Sequence, residues 1–164
     1  MTEKSGSSVL TLTLIAGLFL QVVLGYADGG AKPYQVATRF AEAYFKLDPT
    51  MAQNMVNNGV TEDEVDLVDA YLYDRREEAR QRGLAIGMLK SRLSHVHTAT
   101  LEQTEDTAKI QLTAMRRTAI NPVFYIVATA FRLGDTQEVE AVIELKKEGN
   151  AWKVEGRPFD MARL

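Results

Sequence analysis

The feature that most constrains this chain is the apolar run from Val9 to Ala27, which carries no charge and has Gln21 as its most polar member. A helix needs about 20 apolar residues to cross a hydrocarbon layer, and the run is close to that length. Two fates are open to it. Gly25-Tyr26-Ala27 places small residues where a secretory signal is cut, before Asp28. Yet the run is longer than the roughly 7–15 residues of a usual signal core, as an uncleaved single-span anchor would be. It holds no Pro, and Gly17 is tolerated in lipid. Lys4 and the terminal amine favour an N-in, C-out orientation, while Lys32 just past the other end opposes it. A buried core helix is the third reading, which Asp28-Gly29-Gly30 directly after the run disfavours. The expectation is a signal peptide or transmembrane anchor over 1–27, a tether over 28–32 and one domain over 33–164 outside the cytoplasm.

Such a domain has no disulfide to lean on, because cysteine is absent. It must hold itself with a hydrophobic core, and thiol chemistry and Cys-based metal or haem sites are excluded. The formal net charge is −3. Lys4 and Glu3 cancel, so the leader contributes nothing to it. No clustered basic patch is present, which argues against nucleic acid as a partner.

Pro33 suits the first turn of a helix, and Val36, Ala37, Phe40, Ala41, Tyr44 and Leu47 recur at helical spacing. Asp48-Pro49 starts a short second helix with Met51, Met55 and Val56 inward, ending at Asn57-Asn58-Gly59. Thr61 and Glu64 match a capping box. The helix that box opens runs to about Leu93, with Val65, Val68, Leu72, Ala79, Ile86 and Leu93 as its core stripe. A break at Gly83 is the alternative. Beyond Leu93 the period becomes alternating. Strands are predicted over His95–Glu102, Ala108–Ala114, Val123–Leu133 (apolar on both faces, hence central), Val139–Leu145 and Ala151–Glu155, the last with Trp152 and Val154 inward. Consecutive strands on short turns predict an antiparallel meander.

Three stretches carry a resemblance. They are Phe40-Ala41-Glu42-Ala43-Tyr44-Phe45-Lys46-Leu47-Asp48, the strand pair from Ala108 to Leu133, and the hairpin Glu144-Leu145-Lys146-Lys147-Glu148-Gly149-Asn150-Ala151-Trp152-Lys153-Val154. Over roughly residues 33 to 157 the chain resembles the nuclear-transport-factor-2-like branch of the cystatin-like superfamily, in its small exported or membrane-anchored bacterial form. The resemblance implies an α+β fold, with N-terminal helices packed on a curved antiparallel sheet that wraps the long helix. Domains of this kind isomerise steroids, cyclise polyketides, carry lipids or bind protein partners. Anchored ones include a periplasmic component of type IV secretion systems. The charged segment Asp74–Arg82 makes the third helix longer than that fold usually shows, so it is expected to project as a docking surface.

Residues with candidate chemistry are few. His95 and His97, the two histidines, fall on one strand face about 7 Å apart. They would give a metal two ligands and no third. Asp66, Asp69 or Asp74 as base, with Tyr44, Tyr71 or Tyr125 as donor, would suit enolisation chemistry. The acids at Glu62, Asp63, Glu64, Asp66 and Asp69 also suit the first turns of a helix without any catalytic role. Arg116-Arg117 makes a small basic spot whose two members point to opposite faces. Gly83 and Gly87 have transmembrane-dimer spacing but lie in no apolar 20-mer. The sequence therefore assigns no catalytic, cofactor or metal residue. It points to a non-catalytic accessory or scaffolding subunit of a bacterial envelope complex. That subunit would be anchored through 9–27 at the inner membrane or secreted to the periplasm, bind a protein partner, and possess the means to form a homodimer. The alternatives are a carrier of a small apolar ligand or lipid, and a small isomerase-like enzyme.

Overall fold

The computed structural model describes residue 15, residues 30–118 and residues 136–162. Contacts divide the chain into two units, Met1–Ala31 and Lys32–Leu164, and the second holds nearly all of the described residues. The run 9–27, apart from Ile15, lies outside the described residues, as do the predicted strand 123–133 and Tyr125. Among the described residues no helix is long and apolar enough to cross a membrane.

The second unit is α+β. Helix α1 spans Pro33–Phe45. Pro33 presets its first turn, and Gln35 Oε1 accepts from the Lys32 N–H at 3.0 Å. Its stripe of Val36, Ala37, Phe40, Ala41, Tyr44 and Phe45 is buried. The helix ends in a Schellman motif. The Asp48 N–H donates to Ala43 O at 2.9 Å and the Leu47 N–H to Tyr44 O at 3.1 Å. Leu47 occupies the left-handed position, at φ 52, that glycine usually fills.

Asp48 caps the 3-10 helix Pro49–Asn54, its Oδ1 accepting from the Thr50 N–H at 2.9 Å. Asn57, Asn58 and Gly59 then run with φ of 50, 54 and 85. Such positions favour Gly and Asn, which explains the tripeptide. Met51 and Met55 are buried, flexible fillers between this segment and the core.

The long helix is shorter than its periodicity implies, and it starts elsewhere. Thr61 does not cap it. Instead Thr61 closes a turn, with its N–H bonded to Val65 O at 2.9 Å and its Oγ1 accepting from the Val65 N–H. Asp66 is the cap: its Oδ1 accepts from the Val68 and Asp69 N–H groups, both at 2.9 Å, and opens α2, Leu67–Gln81. A carboxylate reaching two orphan donors outcompetes the hydroxyl further upstream. Gly83, at φ 65, ends α2 in a second Schellman motif, with Leu84 N–H to Ala79 O at 2.8 Å. Val65 is therefore exposed, Ile86 sits in a 3-10 turn over Ile86–Leu89, and Leu93 lies in a strand. Helix α2 does not project as a bare docking arm, for Ala79 within the charged segment is 2% exposed.

Four strands come next: β1 Ser91–Gln103, β2 Thr107–Thr118, β3 Thr136–Glu148 and β4 Ala151–Val154. They form an antiparallel meander in the order β1-β2-β3-β4. Strands β2 and β3 pair directly from Thr107↔Lys146 to Arg117↔Thr136. Ala108, Ile110, Leu112 and Ala114 of β2 alternate into the core with Ile143 and Leu145 of β3 and Val154 of β4. Helix α1 lies across this face and touches all four strands. The sheet thus packs on α1, not on the long helix. Trp152 does not join Val154 in the core: it is half-exposed, with the Lys147 ammonium 6.0 Å from its ring centroid.

Candidate functional site

Where α1, α2 and the N-terminal part of β3 meet, they leave a cleft of about 650 Å³. Its floor is aromatic, made by Tyr44 and Phe45 of α1, Tyr71 of α2, and Phe159 of the 3-10 turn Phe159–Ala162. Tyr44 stacks on Tyr71 at 4.6 Å between centroids and on Phe159 at 4.8 Å, while Phe45 meets Phe159 at 5.2 Å. Each such pair adds roughly 0.5–1.5 kcal/mol beyond its area burial. Phe159 holds a left-handed backbone at φ 58, a strain that its ring contacts with Tyr44 and Phe45 sustain.

The rim is charged with both signs: Arg75, Arg82 and Arg116 beside Glu78, Glu138 and Glu140. Their placement follows helical and strand periodicity. Tyr71, Arg75, Glu78 and Arg82 succeed one another at steps of four, three and four residues, so they share one side of α2. Glu78 accepts from Arg75 at 2.6 Å and from Arg82 at 2.8 Å. The Arg75 guanidinium also lies over the Tyr71 ring at 5.4 Å. Its Nε is buried without a hydrogen-bond partner among the described residues. On β2, Arg116 continues the inward parity of Ala108 to Ala114. It stacks over Phe45 at 5.3 Å, and its Nε donates to the buried Ser91 Oγ at 3.0 Å. The guanidinium is wedged under the sheet end, not lying on its surface.

Tyr71, in the cleft floor, is strongly shifted. Burial pushes its phenol well above the ordinary tyrosine range, and Tyr44, its hydrogen-bonded neighbour, raises it further; Arg75 partly opposes both. The phenol is therefore a neutral donor at physiological pH. The acids that would have partnered it in an enolisation site are elsewhere. Asp66 is the cap of α2, and Asp69 and Asp74 are exposed on that helix. Glu78 does reach the cleft, but both its oxygens are held by guanidinium groups.

The histidine pair is not brought to the cleft. His95 and His97 are exposed on β1, and a bulge between Ser94 and His97 puts His95 at φ 51, which breaks the alternation that would have aligned them. No group of three or more metal-binding side chains exists among the described residues. Arg116 and Arg117 split to opposite faces, Arg116 inward. The sequence places Arg75, Glu78 and Arg82 in a charged segment expected to project as a docking surface, and Arg116 in a small basic spot, and it does not bring them together. The signal that could have found them was their continuation of apolar stripes ending at Tyr71 and Ala114.

Set against protein-family models, curated proteins and solved structures, the chain finds no match in any of the three.

Proposed function

We propose that this chain is a non-catalytic accessory subunit of a bacterial envelope complex, held at the inner membrane or exported by its segment 9–27, whose extracytoplasmic domain binds a protein partner. One observation carries the reading: the cleft joins an aromatic floor to a rim of three arginines and three glutamates. Protein interfaces are built this way, with aromatic and Arg anchors inside a polar margin. The order of helices followed by an antiparallel sheet supports placing the domain with the nuclear-transport-factor-2-like group, in which binding modules are common.

A second reading has its own support. A volume of about 650 Å³ lies within the range of small-molecule sites, and the floor would accept an apolar ring or chain, which suits a carrier. The test is native mass spectrometry of full-length protein gently extracted from membranes. A stoichiometric complex with another protein is the expected result. A lone subunit carrying a small molecule would refute the first reading in favour of the second.

A further inference from the structure

We infer that the connection over residues 83–90, between α2 and β1, is a membrane-docking loop that dips apolar side chains into an anionic lipid surface. The inference needs neither the cleft nor a protein partner. It gives the domain a lipid contact of its own, apart from the segment 9–27.

The loop's composition is the first observation. A surface connection is ordinarily polar, yet this one carries Leu84, Ile86, Met88 and Leu89. No residue of its 3-10 turn, Ile86–Leu89, is buried. Leu84 is 38% and Met88 44% exposed, and Ala85 and Gly87 are exposed between them. At its two glycines the loop stands clear of other atoms: a Cβ built on Gly83 or on Gly87 meets nothing within 4 Å. A run of exposed apolar side chains marks an interaction site.

The backbone is suited to an apolar medium, where each polar group needs a partner within the protein. Gly83, at φ 65, turns the chain as α2 ends. The Leu84 N–H then donates to Ala79 O, and the Met88 N–H to Ala85 O, both at 2.8 Å. The two residues with the most exposed large side chains in the loop therefore have their own donors satisfied.

Charge names the occupant. Between Glu78 and Glu102 the chain has no acid, while Arg80, Arg82, Lys90 and Arg92 flank the loop on both sides. Arg117 of β2 stands directly opposite Arg92. The three arginines of the cleft, Arg82 among them, are balanced by its three glutamates. Arg80, Lys90, Arg92 and Arg117 remain at this end. Glu77, 3.8 Å from Arg80, and Asp48, on which Lys90 acts, answer two of them. Residues 119–135 add one Arg and one Asp, which cancel. The excess is positive, and the Arg80 side chain is 83% exposed. Cations on both flanks of an uncharged apolar stretch suit a segment whose tip enters hydrocarbon while its flanks meet headgroups. The long stems of Lys and Arg lie along that boundary. Anionic lipid answers both features at once. The chain as a whole carries −3, so such a surface selects this loop over the acid-rich remainder.

The chain has no cysteine, so Met88→Cys takes a single environment-sensitive label. Full-length protein is reconstituted into nanodiscs of phosphatidylcholine alone, or of phosphatidylcholine mixed with phosphatidylglycerol. The label is expected to be open to acrylamide quenching in the first and shielded in the second, and to reopen in high salt. A label at Leu101→Cys, on an exposed residue near the far end of β1, is expected to stay open in both. Arg80→Gln and Lys90→Gln should each lower the docked-to-free ratio about fivefold, the effect of one cation near an anionic surface, with the far-UV circular dichroism unchanged. Leu84→Ser should lower it too, by removing apolar contact. The inference is overturned if the Met88 label is open in both lipids, or if the Leu101 label is shielded alongside it. Equal shielding in both lipids overturns it as well, because the loop is then covered without anionic lipid. Shielding that requires protein from native membranes would assign the loop to a protein partner and likewise overturn it.

Discussion

Helices α1 and α2 end in the same Schellman geometry with different residues at the left-handed position, Leu47 in one and Gly83 in the other. This pair allows a backbone cost to be separated from a packing gain. A non-Gly residue in the left-handed region costs roughly 1–2 kcal/mol. Leu47 offsets that by burial, being 8% exposed; hiding a leucine contributes about 1.5–3 kcal/mol. Leu47→Ala keeps the strain and loses the packing, so a loss of about 2–3 kcal/mol is expected. Leu47→Gly loses the same packing but releases the strain, so its loss should be smaller by about 1 kcal/mol. Gly83→Ala supplies the calibration. A Cβ there meets nothing within 4 Å, so its cost is the strain alone and should match the Gly–Ala difference at position 47. The assay is urea unfolding of full-length protein in mild detergent, followed by far-UV circular dichroism. If Leu47→Gly proves no more stable than Leu47→Ala, the packing-against-strain account of this helix end is wrong.

Three further outcomes can be measured in the same way. Gly59→Ala should cost about 2 kcal/mol or more, since Gly59 sits at φ +85 and an added Cβ would lie 3.2 Å from Val68 Cγ2. Asp48 has its pKa lowered, chiefly by the Thr50 backbone hydrogen bond and then by the Thr50 side chain. Its stabilisation is therefore present above the unfolded-state pKa and lost as pH falls through the lower folded one. Asp48→Ala should cost about 1 kcal/mol near neutrality, and urea midpoints of mutant and parent should converge well below pH 4. Tyr71 is shifted the other way, mainly by burial. Its contribution is complete below the unfolded tyrosine pKa of about 10 and lost above it. Tyr71→Phe should flatten the alkaline fall in stability; an unchanged slope above pH 10 would show that the phenol is not held neutral.

What the sequence made legible was alternation and punctuation. The inward set Ala108, Ile110, Leu112 and Ala114, the Asp48 cap and the Asn57-Asn58-Gly59 turn are local patterns, and each is where the pattern puts it. What it hid was competition between signals of similar strength. Thr61 reads as the cap, yet Asp66 takes that role, beyond a turn that Val60 and Asp66 close. Apolar periodicity carried the long helix past Gly83 because Ile86 and Leu93 keep the phase by chance, while one left-handed glycine with two carbonyl-directed bonds is enough to stop it. The cleft was hidden for another reason. Its charged residues occupy inward rows, and an arginine in such a row reads as an interruption until the ring beneath it is known. Arg116 over Phe45 and Arg75 over Tyr71 are the same solution at the two ends of the site: a long apolar stem packs as core while the head group stays wet or paired. With both arginines already committed to rings and to neighbours, they serve to shape the cleft walls.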